Sequence, residues 1–181
     1  TSDFTLFARW TANTLSVSYD ANGGTSPSGG VISTTTGSTL SSLATTTRAG
    51  YGFIGWFTAA SGGTQVTTSA GHGQTAGFTL FARWTANTLA VTYNSGGGSS
   101  VTATSTTTGA SMLSPGTPTR AGYTFAGWYT AASAGTLVTF PYAHGRTSDF
   151  TLFARWTANT LTVTTDEQGG TAIGDASTTT G

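Results

Sequence analysis

"FTLFARWTANTL" occupies residues 4–15, and the same twelve letters return at 78–89 and at 150–161. Internal repetition has to be read before any local pattern, because a missed period assigns the wrong fold to the whole chain. The step is 74 residues from Phe4 to Phe78 and 72 from Phe78 to Phe150. Other blocks keep the same step. "RAGYGFIGWFTAA" at 48–60 returns as "RAGYTFAGWYTAA" at 120–132, and "STTTG" stands at 33–37, 105–109 and 177–181. The two extra residues of the first interval fall in the Gly/Ser stretch between Asn22 and Val31, where a longer loop costs little. The chain therefore reads as a window on a tandem array. It would hold the closing strand of a preceding repeat (1–10), two whole repeats (11–84 and 85–156) and the opening part of a further one (157–181). An equally regular frame is a partial unit 1–37 followed by 38–109 and 110–181.

Charged residues make up 7% of the chain, there is no Lys, and the net charge is zero; an ordinary soluble domain carries about 25% charge. Thr alone supplies about a quarter of the residues. A Thr/Ser/Gly-rich chain can be a disordered linker, but aromatics at 12% in regular positions point to a folded array with a hydroxyl-rich surface. Zero net charge and six Arg exclude a basic face for nucleic acid. Runs of about 20 apolar residues, which a membrane helix needs, are absent, so no membrane insertion is expected in this segment. Without Cys there is no disulfide framework and no thiolate metal site. The sequence shows no signal peptide and starts inside a repeat, so it is expected to be a piece of a longer chain.

"TLSVSYD" (14–20) alternates Leu15, Val17 and Tyr19 with Thr14, Ser16 and Ser18, and "TLAVTYN" (88–94) does the same. Period two with β-branched and aromatic residues predicts a half-buried strand. Each such strand runs into "DANGG", "NSGGG" or "DEQGG". The leading position is Asp20, Asn94 or Asp166, an interchange that suits a side chain folding back on a turn and not a catalytic carboxylate. A second strand is expected through "GGVISTTTG". Leu40 and Leu43, three apart in "STLSSLATTT" (38–47), predict a short helix; Pro115 and Pro118 limit its counterpart at 110–119 to one or two turns. "GYGFIGWFT" (50–58) reads as a strand with Tyr51, Phe53 and Phe57 on one face and Ile54 and Trp56 on the other. "FTLFARW" (78–84) closes the repeat, with Phe78, Leu80, Ala82 and Trp84 inward and Phe81 and Arg83 outward.

The order is strand, strand, short helix or loop, strand, irregular segment, strand. "YDANGGT…RAGYGFIGWFT…FTLFARWTAN" resembles the Listeria–Bacteroides repeat, also called the internalin B-repeat family. That family runs a strand into D-x-N-G-G, then a G-Y-T-F-x-G-W-Y block, then a closing T-L-Y-A-x-W, matched here at 122–130 and 151–156. The resemblance implies a β-rich α+β fold of small ubiquitin-like β-grasp modules, strung in an elongated array on secreted and surface-anchored bacterial proteins. The chain departs from the family in its low charge, in Arg where a Lys is usual in the closing block, and in Thr165 where Tyr19 and Tyr93 stand in the other copies.

Candidate chemistry is sparse. His72 and His144 occupy equivalent positions before the closing strand, but no carboxylate or second His repeats beside them, so no metal site is expected. Of the acids, Asp3 and Asp149 share "TSDF" with Gly77 in the middle copy, leaving no persistent carboxylate pair for hydrolysis. "DANGG" starts like a calcium loop, yet Val31 stands where the closing acid is due. No Ser sits in a nucleophile-elbow pattern. Catalytic, metal and cofactor-binding residues are thus all expected to be none, and no enzyme is expected. Arg9, Arg83 and Arg155 on the closing strand, with Arg48 and Arg120, are expected to stack on aromatic faces; a glycan or receptor site is the alternative.

The repeated twelve residues join the closing strand of one repeat to the opening strand of the next through the bridge "WTAN". So short a bridge predicts a semi-rigid rod, with Asn13, Asn87 and Asn159 capping the junction through a side-chain hydrogen bond. The expected role is an extracellular, cell-surface one: a non-catalytic stalk or fibre segment of an exported bacterial surface protein or adhesin. Its expected partners are neighbouring repeats of the same chain and, through lateral self-association, fibres of like chains. A host receptor or glycan held by exposed aromatic and Arg side chains is the alternative.

Overall fold

A computed structural model describes residues 2–171 and 173–180. Thr1, Ala172 and Gly181, which fall in the expected pieces 1–10 and 157–181, lie outside the described residues. The chain divides into two compact units, Thr1–Ala86 and Asn87–Gly181.

In the first unit five strands form one mixed sheet in the order β2-β1-β5-β3-β4: β1 (Thr14–Asp20), β2 (Ile32–Thr35), β3 (Tyr51–Phe57), β4 (Gln65–Val66) and β5 (Phe78–Ala86). β1 is antiparallel to β2 and parallel to β5, which is antiparallel to β3. The alternation in β1 and β5 sets this arrangement. Leu15 and Val17 from one strand and Leu80 and Ala82 from the other supply a single dry face, each at most 5% exposed.

The second unit repeats the plan with β6 (Thr88–Asn94), β7 (Thr104–Thr107), β8 (Ser111–Met112), β9 (Tyr123–Tyr129), β10 (Tyr142–Ala143) and β11 (Phe150–Ala158). The main sheet runs β7-β6-β11-β9, and β8 pairs with β10 beside it. The last hairpin, β12 (Thr160–Val163) with β13 (Ala176–Thr179), is antiparallel and forms a sheet of its own.

The expected α+β, ubiquitin-like β-grasp fold is overturned. Such a module needs a helix, and none forms among the described residues, so the fold is all-β. The short helix expected over 38–47 is an extended segment. Its Leu40 is buried and Leu43 half-buried against the Val17–Trp56–Leu80 core, so two leucines three apart reach the core without helical geometry. Ser and Thr are poor helix formers, because their hydroxyls compete for backbone groups, and here those groups are spent on a neighbouring loop. Thr25 N–H donates to the Thr47 carbonyl at 2.7 Å, and Ser28 N–H donates to that of Thr45 at 2.9 Å. The Thr46 hydroxyl donates to the Thr25 carbonyl at 2.7 Å.

The face assignment of β3 also changes. Phe53 pairs with Trp84 and Gly55 with Arg83, leaving Ile54 as an extra, unpaired residue. This β-bulge returns Trp56 to the face of Phe53, and their ring centroids lie 5.7 Å apart. Gly55 and its counterpart Gly127 take φ of 148° and 130° at the bulge, a region closed to most side chains. The repeat of the same irregularity in β9–β11 identifies it as part of the module.

Both cores are built from corresponding positions, with Met112 in place of Leu40 and Val138 buried in addition in the second. Val17, Leu40, Trp56, Leu80 and Ala82 in one correspond to Val91, Met112, Trp128, Leu152 and Ala154 in the other. Trp56 and Trp128 are 1% and 2% exposed.

Candidate functional site

The residues most able to bind or react were the two His, the acids and the Arg. The fold engages both His, the turn acids and the Arg of the modules internally. His72 and His144 hang from the irregular segment before the closing strand, and each brings Nε2 within hydrogen-bond distance of a Thr hydroxyl on the second strand. Thr34 lies 3.0 Å from His72 and Thr106 lies 3.1 Å from His144. Phe78 and Phe150 lie against the rings at centroid distances of 5.2 Å. The His–Thr pair thus adds a side-chain tie between this segment and the sheet, beside the His72 N–H bond to the Ser38 carbonyl at 3.1 Å and the β8–β10 pairing. Burial lowers the His144 pKa below its ordinary value, and the Arg146 guanidinium adds to the shift.

The turn acids behave as the Asp/Asn interchange indicates. Asp20 Oδ1 accepts the Asn22 N–H at 2.8 Å, Asn94 Oδ1 accepts that of Gly96 at 3.0 Å, and Asp166 Oδ1 accepts that of Gln168 at 3.1 Å. Asp149 Oδ1 accepts the Ala90 N–H at 2.7 Å. The Glu167 carboxylate accepts the Ile173 N–H and the Thr165 hydroxyl, and these bonds hold its pKa below the usual carboxylate value. Among the described residues no group of three or more His, Cys, Asp and Glu is placed to hold a metal.

Four Arg lie close over aromatic rings, and a fifth, Arg146, lies 5.5 Å from the Phe150 centroid. Arg48 sits 4.0 Å from the Tyr51 centroid and Arg120 3.8 Å from that of Tyr123. Arg83 covers Phe57 at 4.3 Å and Arg155 covers Tyr129 at 4.1 Å. Each of these four also donates to backbone carbonyls: Arg48 to Asn22, Arg120 to Gly96, Arg83 to Gly62, and Arg155 to Ala131. Arg9, by contrast, belongs to an exposed stretch in no strand.

Two surface grooves are hydroxyl-lined, while a third, of about 300 Å³, is bordered by Asn22, Arg48, Ile54, Arg83 and Trp84. The first hydroxyl-lined groove, of about 300 Å³, runs beside β2 and is bordered by Thr14, Ser33, Thr35, Ser38, Thr39 and Ser41. The second, of about 330 Å³, runs beside β7 with Ser105, Ser111, Met112 and Ser114. Composition announced the hydroxyls, but nothing in the linear sequence located these grooves, because the extended segment after the second strand makes one wall of each.

At the junction the bonds run through the backbone and not through the expected side-chain cap. The carbonyls of Asn13, Asn87 and Asn159 each accept an N–H from the "STTT" strand, at 3.3, 3.0 and 3.1 Å from Thr36, Thr108 and Thr180. The Asn159 side chain bonds elsewhere, its Oδ1 accepting the hydroxyl of Thr124 on β9 at 2.7 Å. No helix among the described residues is long and apolar enough to cross a membrane.

These features define a class of protein: tandem all-β modules whose polar side chains chiefly brace the module. The chain belongs to the Listeria-Bacteroides repeat domain family, whose sequence profile matches residues 16–83 and 90–155. It is 28% identical over 182 residues to a glycine-rich protein of Evansella cellulosilytica whose name places it provisionally in the membrane, an overlap of 98% of this chain and 20% of that one. It is 34% identical over 113 residues to Internalin H of Listeria monocytogenes, covering 62% of this chain and 20% of that protein. The chain thus spans about a fifth of the length of these relatives.

Proposed function

We propose that this chain is a non-catalytic stalk segment of an exported bacterial surface protein, holding another part of that protein away from the cell. One observation carries the reading: four of the five Arg of the modules, Arg48, Arg83, Arg120 and Arg155, lie over their own rings and donate to their own carbonyls. An Arg so engaged must give up its contacts before it can bind a carboxylate or sugar. Membership of a repeat family and the membrane and internalin names of relatives support an extracellular setting. The test places zero, two or four copies of 11–156 between a surface anchor and a reporter adhesin on bacteria. A stalk lengthens the reach of the reporter with each added copy and leaves cells without the reporter non-adherent. Adhesion of reporter-free cells to host cells or glycans overturns it.

A further inference from the structure

Asn22–Gly23, in the opening turn of the first module, is the single Asn–Gly step in the sequence. Asn13, Asn87 and Asn159 each precede Thr, and Asn94 precedes Ser. Where the first copy of the turn has Asn22, the second has Gly96 and the third has Gln168. The step matters because a backbone nitrogen can attack the side-chain amide of the residue before it. Gly leaves that approach open, having no Cβ, whereas the branched Cβ of Thr crowds it.

The turn leaves this nitrogen free. The Asn22 N–H donates to Asp20 Oδ1 at 2.8 Å, and the Gly24 N–H donates to the Ala21 carbonyl at 3.0 Å. Between them, the Gly23 N–H has no hydrogen-bond partner among the described residues. Asn22 and Gly23 are both exposed, with φ of 46° and 86°. A cation stands over the same peptide group. Arg48 Nη1 donates to the Asn22 carbonyl at 3.3 Å, and a Cβ built on Gly23 would lie 3.2 Å from Arg48 Cζ. When the Gly23 nitrogen loses its proton, the negative charge spreads onto the Asn22 carbonyl oxygen, which belongs to the same peptide group. The guanidinium therefore sits where charge develops and favours the anion.

We propose that Asn22–Gly23 is a self-modification site, at which the folded first module converts asparagine to aspartate and isoaspartate with Arg48 stabilising the attacking nitrogen. The deprotonated Gly23 nitrogen forms a bond to Asn22 Cγ; the Cγ–Nδ2 bond breaks and ammonia leaves with the proton released to solvent, closing a succinimide. Water then adds to either ring carbonyl and opens the ring. One product is an aspartate at position 22, and the other is an isoaspartate whose main chain runs through Cβ and Cγ. Water is consumed and ammonia released, so no oxidant or enzyme is needed. Conversion removes the Asn22 Nδ2–H that donates to the Ala82 carbonyl on β5 at 3.1 Å. It also sets a carboxylate beside Arg48, in the groove that Arg83 and Trp84 border. This inference stands apart from the stalk reading, since the reaction needs only the turn and its arginine.

The test incubates the full 181-residue chain under native, mildly alkaline conditions for weeks, and follows intact mass, peptide maps and isoaspartate content. The wild-type chain should gain about 1 Da, the exchange of an amide for an acid, with the change mapped to residue 22. Asn22→Gln should gain nothing over the same period. Arg48→Gln should convert about tenfold more slowly, a modest loss for a donor at a developing anion because this site is exposed, and Arg48→Lys should recover part of the rate. In concentrated urea, where the turn no longer holds the guanidinium over the peptide, wild type and Arg48→Gln should convert alike. Arg120 Nη1 donates to the Gly96 carbonyl at 3.2 Å in the second module, so Gly96→Asn should install a second conversion there. An unmodified residue 22 in the native wild-type chain overturns the proposal. So does native Arg48→Gln converting as fast as wild type, or a Gly96→Asn chain that converts at residue 22 alone.

Discussion

The indole N–H of Trp56 donates to the carbonyl of Ala44 at 2.7 Å, and this bond ties the extended segment 38–47 to the centre of the sheet. Trp128 repeats it on Gly116 at 3.1 Å. A buried ring on one strand thus fixes the segment that takes the place of a helix, in both modules.

Trp128→Phe should therefore cost more than its lost ring volume. The substitution removes a hydrogen bond worth about 0.5–1.5 kcal/mol net, since Gly116 is exposed and water can reach its carbonyl, and opens space in the core. A urea midpoint measured on the full chain should fall clearly. Trp10→Phe, at a position 92% exposed, should stay within about 0.5 kcal/mol. Equal effects at the two positions would show that the indole bond does not anchor the segment.

Gly98 lies where the opening turn passes beneath the closing Trp. A Cβ there would sit 2.4 Å from Trp156 Cζ2 and 3.0 Å from the Thr119 carbonyl oxygen. Since backbone and a half-buried ring must both give way, Gly98→Ala should cost about 1–3 kcal/mol, the usual range for overpacking. Gly145→Ala meets nothing within 4 Å and serves as the control, expected within about 0.5 kcal/mol. Thermal melts of the two variants decide it.

Much of this architecture was legible because alternation is a direct image of burial. Val17, Leu80 and Ala82 were read inward from period two and are buried to 0% exposure. The Asp20–Asn94–Asp166 turns were legible from residue chemistry, since Asn can replace Asp only where the side chain accepts from backbone. Two features escaped. Leu40 and Leu43 have helical spacing, and an extended segment crossing a core edge can place the same pair inward; sequence alone does not separate the two. The bulge at Ile54 breaks period two by one residue, so every assignment beyond it was reversed until Gly55 was seen at φ 148°. The hydroxyl grooves were not legible because they depend on tertiary placement.

Stability should depend on pH through His144. Burial holds its folded pKa below the ordinary His value of about 6.5, so the neutral ring is the folded form. Above pH 6.5 both folded and unfolded chains carry the neutral ring and the full contribution is present. As pH falls through 6.5 toward the lower folded value, the unfolded chain binds the proton first and stability declines. Arg146 strengthens the decline by repelling the imidazolium; Thr106, Tyr142 and Phe150 are the other groups against the ring. The melting temperature between pH 7.5 and 5 (about one unit to either side of the ordinary His range) should drop more for wild type than for His144→Asn. Parallel pH profiles would remove His144 as the cause.

Arg155→Lys tests whether the stacked arginines brace the sheet. The guanidinium lies 4.1 Å from the Tyr129 centroid and donates to the Ala131 carbonyl at 3.3 Å. Lys keeps the charge but loses the flat face and the fork of donors that make both contacts together. A ring contact of this kind is worth about 0.5–1 kcal/mol at an exposed site and more when partly desolvated, and Arg155 is half-buried. Arg155→Lys should therefore lower stability by about 1 kcal/mol, with the hydrogen bond included. Arg9→Lys, on the same motif but in no strand, should leave the stability of the monomeric chain unchanged. Because both substitutions fall in the same sequence context and leave the net charge unchanged, a difference between them isolates the stacked geometry. Equal, negligible losses would return the arginines to the surface as free cations, available to a carboxylate or sugar ligand, and would count directly against the stalk reading.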